Sequence, residues 1–232
     1  MGGEQCGTRG DISFHDSGAT GTAAMNDSSP KVFVVDDDPA VLKGLSRVLR
    51  STGLGVATFS SPREFLEQHD PREPGCLVLD VAMPGLSGLE LQAALTAKGS
   101  AIPIIFLSGR GDIPMSVQAM KGGAMDFLTK PLHDEDLLKA VHAALEKDRI
   151  GRERRAELDD IQERLATLTP REREVLTHVV SGQLNKQIAN DLGTVEKTIK
   201  VHRARVMEKM KVNSVAELVR LTERLGKIRM ME

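Results

Sequence analysis

Between Lys31 and about Lys147, short apolar runs alternate with segments whose apolar residues recur at helical spacing. The runs are Val32–Val35, Gly55–Phe59, Cys76–Leu79, Ile102–Leu107 and Ala124–Leu128, each the length of a buried strand. Between the first two, Asp38 reads as an N-cap and Pro39 as a first helical residue, followed by Val41, Leu42, Leu45, Val48 and Leu49 on one face. Ser61-Pro62 repeats that signature ahead of Phe65 and Leu66. A further helix runs from Ser87 to Lys98 and closes at Gly99, and a short one carries Val117 and Met120. No hairpin signal joins successive strands. The pattern predicts an α/β domain over residues 31–147, a doubly wound five-stranded parallel sheet with helices on both faces. In such sheets sites form outside the carboxyl ends of the strands, where Asp36, Asp37, Asp80, Ser108 and Lys130 all fall.

Asp134 to Ala166 is densely charged and lacks proline; its one glycine is Gly151, and Leu137, Leu138, Val141, Leu145, Ile150, Leu158, Ile161 and Leu165 supply the apolar positions. It reads as the last helix of the sheet domain running on into a long helical linker over 148–166. The alternative is a charged linker partly melted at Gly151. Thr169-Pro170-Arg171-Glu172 is then a capping box opening a small all-α domain over 167–232. A short helix fits Lys186 to Leu192, a turn fits Gly193-Thr194, a longer helix fits Glu196 to Met210, and Ser214-Val-Ala-Glu217 caps a last helix through Leu225. Two helices separated by a tight glycine turn form a helix-turn-helix arrangement. Residues 1–30 are rich in Gly, Ser, Thr and Asp, have too few large apolar residues to order, and lack the pattern of a signal peptide. Met25, shortly before Val32, is an alternative start.

Charge sharpens this division. The net −2 hides 18 Lys/Arg against 25 Asp/Glu in residues 1–167 and 13 against 8 in residues 168–232, so the C-terminal part suits a polyanion partner. No apolar run is long enough for a membrane span. Cys6 and Cys76 are far apart and form no metal or disulfide framework, which fits a reducing cytoplasm. Asp36, Asp37 and Asp80 from two strand ends would repel by several kcal/mol at about 4 Å and intermediate dielectric, so protons or a hard cation must sit among them. Oxygen ligands with retained water suit Mg²⁺.

In this order, Asp36-Asp37, Asp80-Val-Ala-Met-Pro84, Ser108-Gly109, Lys130-Pro131, Leu168-Thr-Pro-Arg-Glu172, Asn185-Lys-Gln-Ile-Ala189 and Thr198-Ile-Lys-Val-His202 resemble a two-component response regulator of the FixJ/NarL family over about residues 31–225. The resemblance implies a CheY-like receiver whose Asp80 accepts a phosphoryl group from a sensor histidine kinase. Asp36, Asp37, Asp80 and the carbonyl of Ala82 would hold Mg²⁺, Lys130 and Ser108 would bind phosphoryl oxygens, and Phe127 would be the switching aromatic. It also implies a LuxR-type DNA-binding domain in which Lys200, Val201 and Ala204 reach base edges, Lys186, Thr198, Arg203 and Arg205 reach phosphates, and Lys197 lies on the same outward side. The implied partners are promoter DNA, a second phosphorylated copy and RNA polymerase.

Plainer readings stand beside these. Asp36 to Asp38 would also serve as a helix-cap cluster, Phe127 as a packed core aromatic, Ser108 as a turn residue and the Lys/Arg run as a solvated helix face. His202 reads as a packed, hydrogen-bonded core histidine. Val195 stands where related helices carry a Ser or Thr cap, leaving Thr194 as the alternative, and Ala204 offers no polar base contact. A phosphatase of the haloacid dehalogenase type would need a second aspartate two residues past the nucleophile, where this chain has Ala82. A phosphorylation-dependent scaffold with a protein-binding tail is the other rival.

Overall fold

The computed structural model describes residues 29–109 and 113–229, with side chains described as far as Arg224. The expectation of disorder over 1–30 thus falls almost wholly outside the described residues, as do Cys6, Met25 and residues 110–112.

The chain begins β1 (Lys31–Val35), α1 (Pro39–Ser51), β2 (Gly55–Phe59), α2 (Pro62–Gln68), β3 (Gly75–Asp80), α3 (Gly88–Ala97), β4 (Ile104–Ser108), α4 (Ile113–Lys121) and β5 (Asp126–Thr129). All strand pairs are parallel, in the order β2-β1-β3-β4-β5. The three inner strands β1, β3 and β4 are apolar runs because both their faces are covered. Phe33, Val35, Leu77, Leu79 and Phe106 pack with Phe65 of α2 and with Leu91 and Leu95 of α3. Val32, Val34, Cys76, Val78, Ile105 and Leu107 pack instead with Leu45 and Leu49 of α1 and with Leu137, Val141 and Ala144 of the next helix. The order reverses at β1 and β3, so their carboxyl ends flank the crevice in which such sheets bind ligands.

Local chemistry sets the helix starts. Asp38, Ser61 and Ser87 accept hydrogen bonds from backbone N–H groups of the first turns of α1, α2 and α3, and Ser87 with Glu90 completes a reciprocal capping box. Two strands start later than expected. β4 starts at Ile104 rather than Ile102, because Pro103 has no N–H for the ladder and contributes only its carbonyl, to Leu77. β5 is Asp126–Thr129 rather than 124–128.

Helix α5 (Asp134–Ala166) is unbroken through Gly151. Ion pairs from Arg149 to Glu146 and Glu153 and from Arg152 to Asp148 bracket the glycine and offset its low propensity. α6 (Pro170–Val180), α7 (Asn185–Asp191), α8 (Glu196–Lys209) and α9 (Val215–Arg229) follow. They enclose a third core in which Val175, Ile188, Ile199, Val206, Met210 and Leu218 meet Ile161 from the far end of α5.

Candidate functional site

The sheet brings three of the expected residues into direct contact. Asp36 leaves β1 with 1% of its surface exposed, Asp80 ends β3 with 5%, and the Lys130 ammonium, just past β5, lies 2.7 Å from Asp36 Oδ2 and 2.7 Å from Asp80 Oδ1. The other carboxylate oxygens are held by the backbone: Asp36 Oδ1 accepts from Asp38 N–H at 2.9 Å, and Asp80 Oδ2 from Ala82 N–H at 2.7 Å. Burial pulls the Lys130 pKa down, but hydrogen bonds and charges from Asp36 and Asp80 outweigh it and leave the ammonium held above its ordinary value.

Ser108 is buried at the end of the adjacent β4, and its carbonyl accepts from Lys130 N–H at 2.7 Å, which ties the lysine to the sheet before the cis Lys130–Pro131 bond. Phe127 is half-buried on β5, its ring 6.4 Å from that of Phe106 and packed on the α2/α3 side of the sheet. Asp37 is exposed and outside the network that joins Asp36, Lys130 and Asp80 among the described residues; Ala82, whose N–H donates to Asp80, is exposed.

Two features depart from the sequence reading. Among the described residues no three His, Cys, Asp or Glu form a ready-made metal cluster. The charge between the two buried carboxylates is the Lys130 ammonium, so a side-chain cation relieves the repulsion between them. The donors at the mouth, Asp37, Asp80 and the Ala82 carbonyl, are nonetheless all oxygens beside exposed positions, which fits a hard ion that keeps several waters. The second feature is Gly88. A Cβ there would lie 2.3 Å from the Asp80 carbonyl oxygen, so α3 can start against the end of β3 only without a side chain. Its sole sequence signal is its place at the end of the Pro84/Gly85 turn.

On the C-terminal domain, Ile199, Val206 and Met210 face the core, so Lys197, Lys200, Val201, Ala204 and Arg205 form the exposed side of α8, with Lys186 exposed on α7. Thr198 is half-buried, and Arg203 turns back to donate to Asn185 Oδ1 at 2.9 Å. Val195 is the N-cap of α8 and makes no side-chain cap bond; its carbonyl accepts from Thr198 and Ile199 N–H. Thr194 does not replace it as the N-cap, and its N–H donates to the Ala189 carbonyl where α7 closes. His202 is half-buried rather than a hydrogen-bonded core histidine, and its buried Nδ1 has no hydrogen-bond partner among the described residues. The last helix is capped by Ser214, although Glu217 accepts from Asn213 N–H, one residue earlier than a reciprocal box would place it.

Residues 32–142 match the response regulator receiver domain and residues 166–222 match the LuxR family of bacterial regulatory proteins. The response regulator protein TmoT of Ectopseudomonas mendocina is 49% identical over 208 residues, covering 90% of this chain and 94% of its own. The transcriptional regulatory protein FixJ of Azorhizobium caulinodans is 46% identical over 198 residues, covering 85% and 93%. The chain belongs to the FixJ/NarL family of two-component response regulators. The solved structure of the response regulator StyR superposes with a TM-score of 0.80 at 48% identity, covering 85% of this chain and all of the other. This response regulator is a phosphorylation-dependent transcription regulator, built from a receiver and a LuxR-type DNA-binding domain. That membership sets aside both the phosphatase and the scaffold readings. Among the described residues no helix is long and apolar enough to cross a membrane.

Proposed function

We propose that Asp80 is the phosphoacceptor and that a sensor histidine kinase is the donor. The observation that carries this is the Lys130 ammonium 2.7 Å from a buried Asp80 whose second oxygen is fixed by Ala82 N–H. An Asp80 oxygen forms the new O–P bond as the P–N bond to the donor imidazole breaks. Transfer of this kind is mostly positioning and charge neutralisation. Lys130, already raised in pKa, stays cationic and moves its hydrogen bonds from the carboxylates to phosphoryl oxygens. Ser108, at the end of the neighbouring strand, supplies a hydroxyl donor to another oxygen. Asp36, Asp37, Asp80 and the Ala82 carbonyl would hold Mg²⁺, which when bound neutralises phosphoryl charge.

The output is pairing of receivers and joint DNA binding. On α4, Ile113, Val117 and Met120 recur one helical turn apart and are 74%, 46% and 49% exposed, an apolar stripe next to β5 and Phe127 that suits a second copy. Two DNA-binding domains then occupy two half-sites, with Lys200, Val201 and Ala204 towards bases and Lys186, Lys197, Thr198, Arg203 and Arg205 towards the phosphate backbone. RNA polymerase is the downstream partner, and the cytoplasm, where Cys76 stays a free thiol, is the compartment.

The test is intact-protein mass after incubation with acetyl phosphate and Mg²⁺, with light scattering on the same samples. One phosphoryl group and a doubled mass are expected for the wild type, and neither for Asp80→Asn. Equal uptake by the variant would move the phosphoacceptor elsewhere.

A further inference from the structure

The first part of the expected linker is bound to the receiver. Asp148, 3% exposed, accepts through Oδ2 from Gly75 N–H at 2.9 Å and from Arg152 Nε at 2.7 Å. Arg152 reaches back over the loop before β3, donating to the carbonyls of Arg72 at 2.7 Å and of Pro71 and Glu73. Two side chains one helical turn apart therefore grip the backbone of a single loop. Gly75 fits this grip because a Cβ there would meet the Lys31 carbonyl oxygen at 2.1 Å, so β3 starts hard against β1 with its N–H turned to Asp148. Asp148 Oδ1 is buried without a hydrogen-bond partner among the described residues. Past Arg152, residues 153–157 are all exposed, until Ile161 enters the third core and Arg164 donates to the Met210 carbonyl at 3.2 Å.

Helix α5 is thus fastened near its middle to the receiver and at its far end to the DNA-binding domain. Rise and twist per residue are fixed along an unbroken helix, so the angle at which the first grip holds it sets the direction of the second domain. Buried ion pairs add little stability relative to apolar packing, because desolvation offsets their attraction, whereas a guanidinium fork fixes geometry.

We infer that Asp148 and Arg152 are positioning residues, which latch α5 to the pole of the receiver opposite Asp80 and set the orientation in which a phosphorylated pair presents its helix-turn-helix domains to DNA. The inference rests on Asp80 as phosphoacceptor only for its functional arm.

The test uses the full-length protein with Asp148→Ala/Arg152→Ala, because removing one partner alone would strand a buried charge. The DNA is a duplex selected in vitro on the phosphorylated wild type. Phosphoryl uptake is expected to match the wild type, while the gain in DNA affinity on phosphorylation falls by about ten-fold, within the usual range of coupling between sites. Spin labels at the exposed positions Lys43→Cys and Arg173→Cys, in a Cys6→Ser background, are expected to give a narrow distance distribution that broadens in the double variant. A purely structural role would lower stability and leave both readouts alone. Should the double variant not fold, Arg152→Lys, which keeps the charge but loses the fork, is expected to shift both readouts the same way. Unchanged coupling and an unchanged distribution in a folded variant would overturn the inference. If the wild type takes up no phosphoryl group, the Asp80 reading fails, and the distance distribution still decides the latch.

Discussion

Lys130 Nζ bridges Asp36 Oδ2 and Asp80 Oδ1 at 2.7 Å each, so one cation serves two buried acids from different strands. Removing it leaves both carboxylates buried and unneutralised. Lys130→Met should lower unfolding free energy by about 3 kcal/mol, the lower end for breaking a buried pair, since a quarter of the lysine is exposed. The urea midpoint measures this, and adding Asp36→Asn should restore part of it. An unshifted midpoint in Lys130→Met would show that the carboxylates do not depend on the ammonium. Because the folded lysine has a raised pKa, its contribution is complete below the ordinary value of 10.5 and is lost as pH rises through the higher folded value.

Gly88→Ala tests how tightly the site is built. The added methyl would sit 2.3 Å from the Asp80 carbonyl and 3.1 Å from the Phe106 ring, so α3 must move away from the strand end. A loss of about 2–3 kcal/mol is expected, with slower phosphoryl uptake in the folded fraction. Gly99→Ala is the contrast: nothing lies within 4 Å, and only its φ of +71° opposes the change. It should leave uptake untouched.

In the DNA-binding domain, Glu172 is buried at the start of α6 and accepts from Lys209 Nζ at 2.6 Å and from Thr169 N–H at 2.9 Å. The Lys209 hydrogen bond, then the Thr169 backbone bond, hold its pKa down at about 2 rather than the ordinary 4.5. A depressed folded pKa gives stability that is complete above 4.5 and disappears as pH falls towards 2. Wild type should therefore exceed Glu172→Gln in thermal midpoint at pH 6, and the two should converge near pH 2. A constant gap across that range would rule out the ionised carboxylate as its source.

Lys200 and Arg203 lie on the same helix and should fail differently. Among the described residues Lys200 is exposed and paired only within its own helix, to Glu196, whereas Arg203 is half-buried and donates to Asn185. Lys200→Ala should weaken DNA binding with no change in melting temperature. Arg203→Ala should lower the melting temperature as well, because it unties α7 from α8. Equal melting temperatures for the two variants would place Arg203 in a phosphate-contacting role alone.

Much of this was readable locally. The existence and order of the strands, the Asp38, Ser61 and Thr169 caps and the turn at Gly193 depend on residues close in sequence, and the pattern shows them. Pro103 shortened β4 because a missing N–H acts through a neighbouring strand that the run itself does not reveal. The capping of α8 was not legible locally either: Val195, which has no side-chain acceptor, stands at the N-cap although Thr194 beside it carries a hydroxyl.

The sequence by itself determined which residues reach the strand ends and which helices carry the basic face, because period and capping are local properties of the chain. Only the tertiary structure decided what neutralises the acids and where α5 is anchored. Lys130 meets Asp36 across 94 positions and Asp148 meets Gly75 across 73, and such pairings depend on how strand order and loop length bring distant segments within hydrogen-bond reach. Burial then makes those encounters matter, since a charge removed from water must find its partner wherever the fold has placed one.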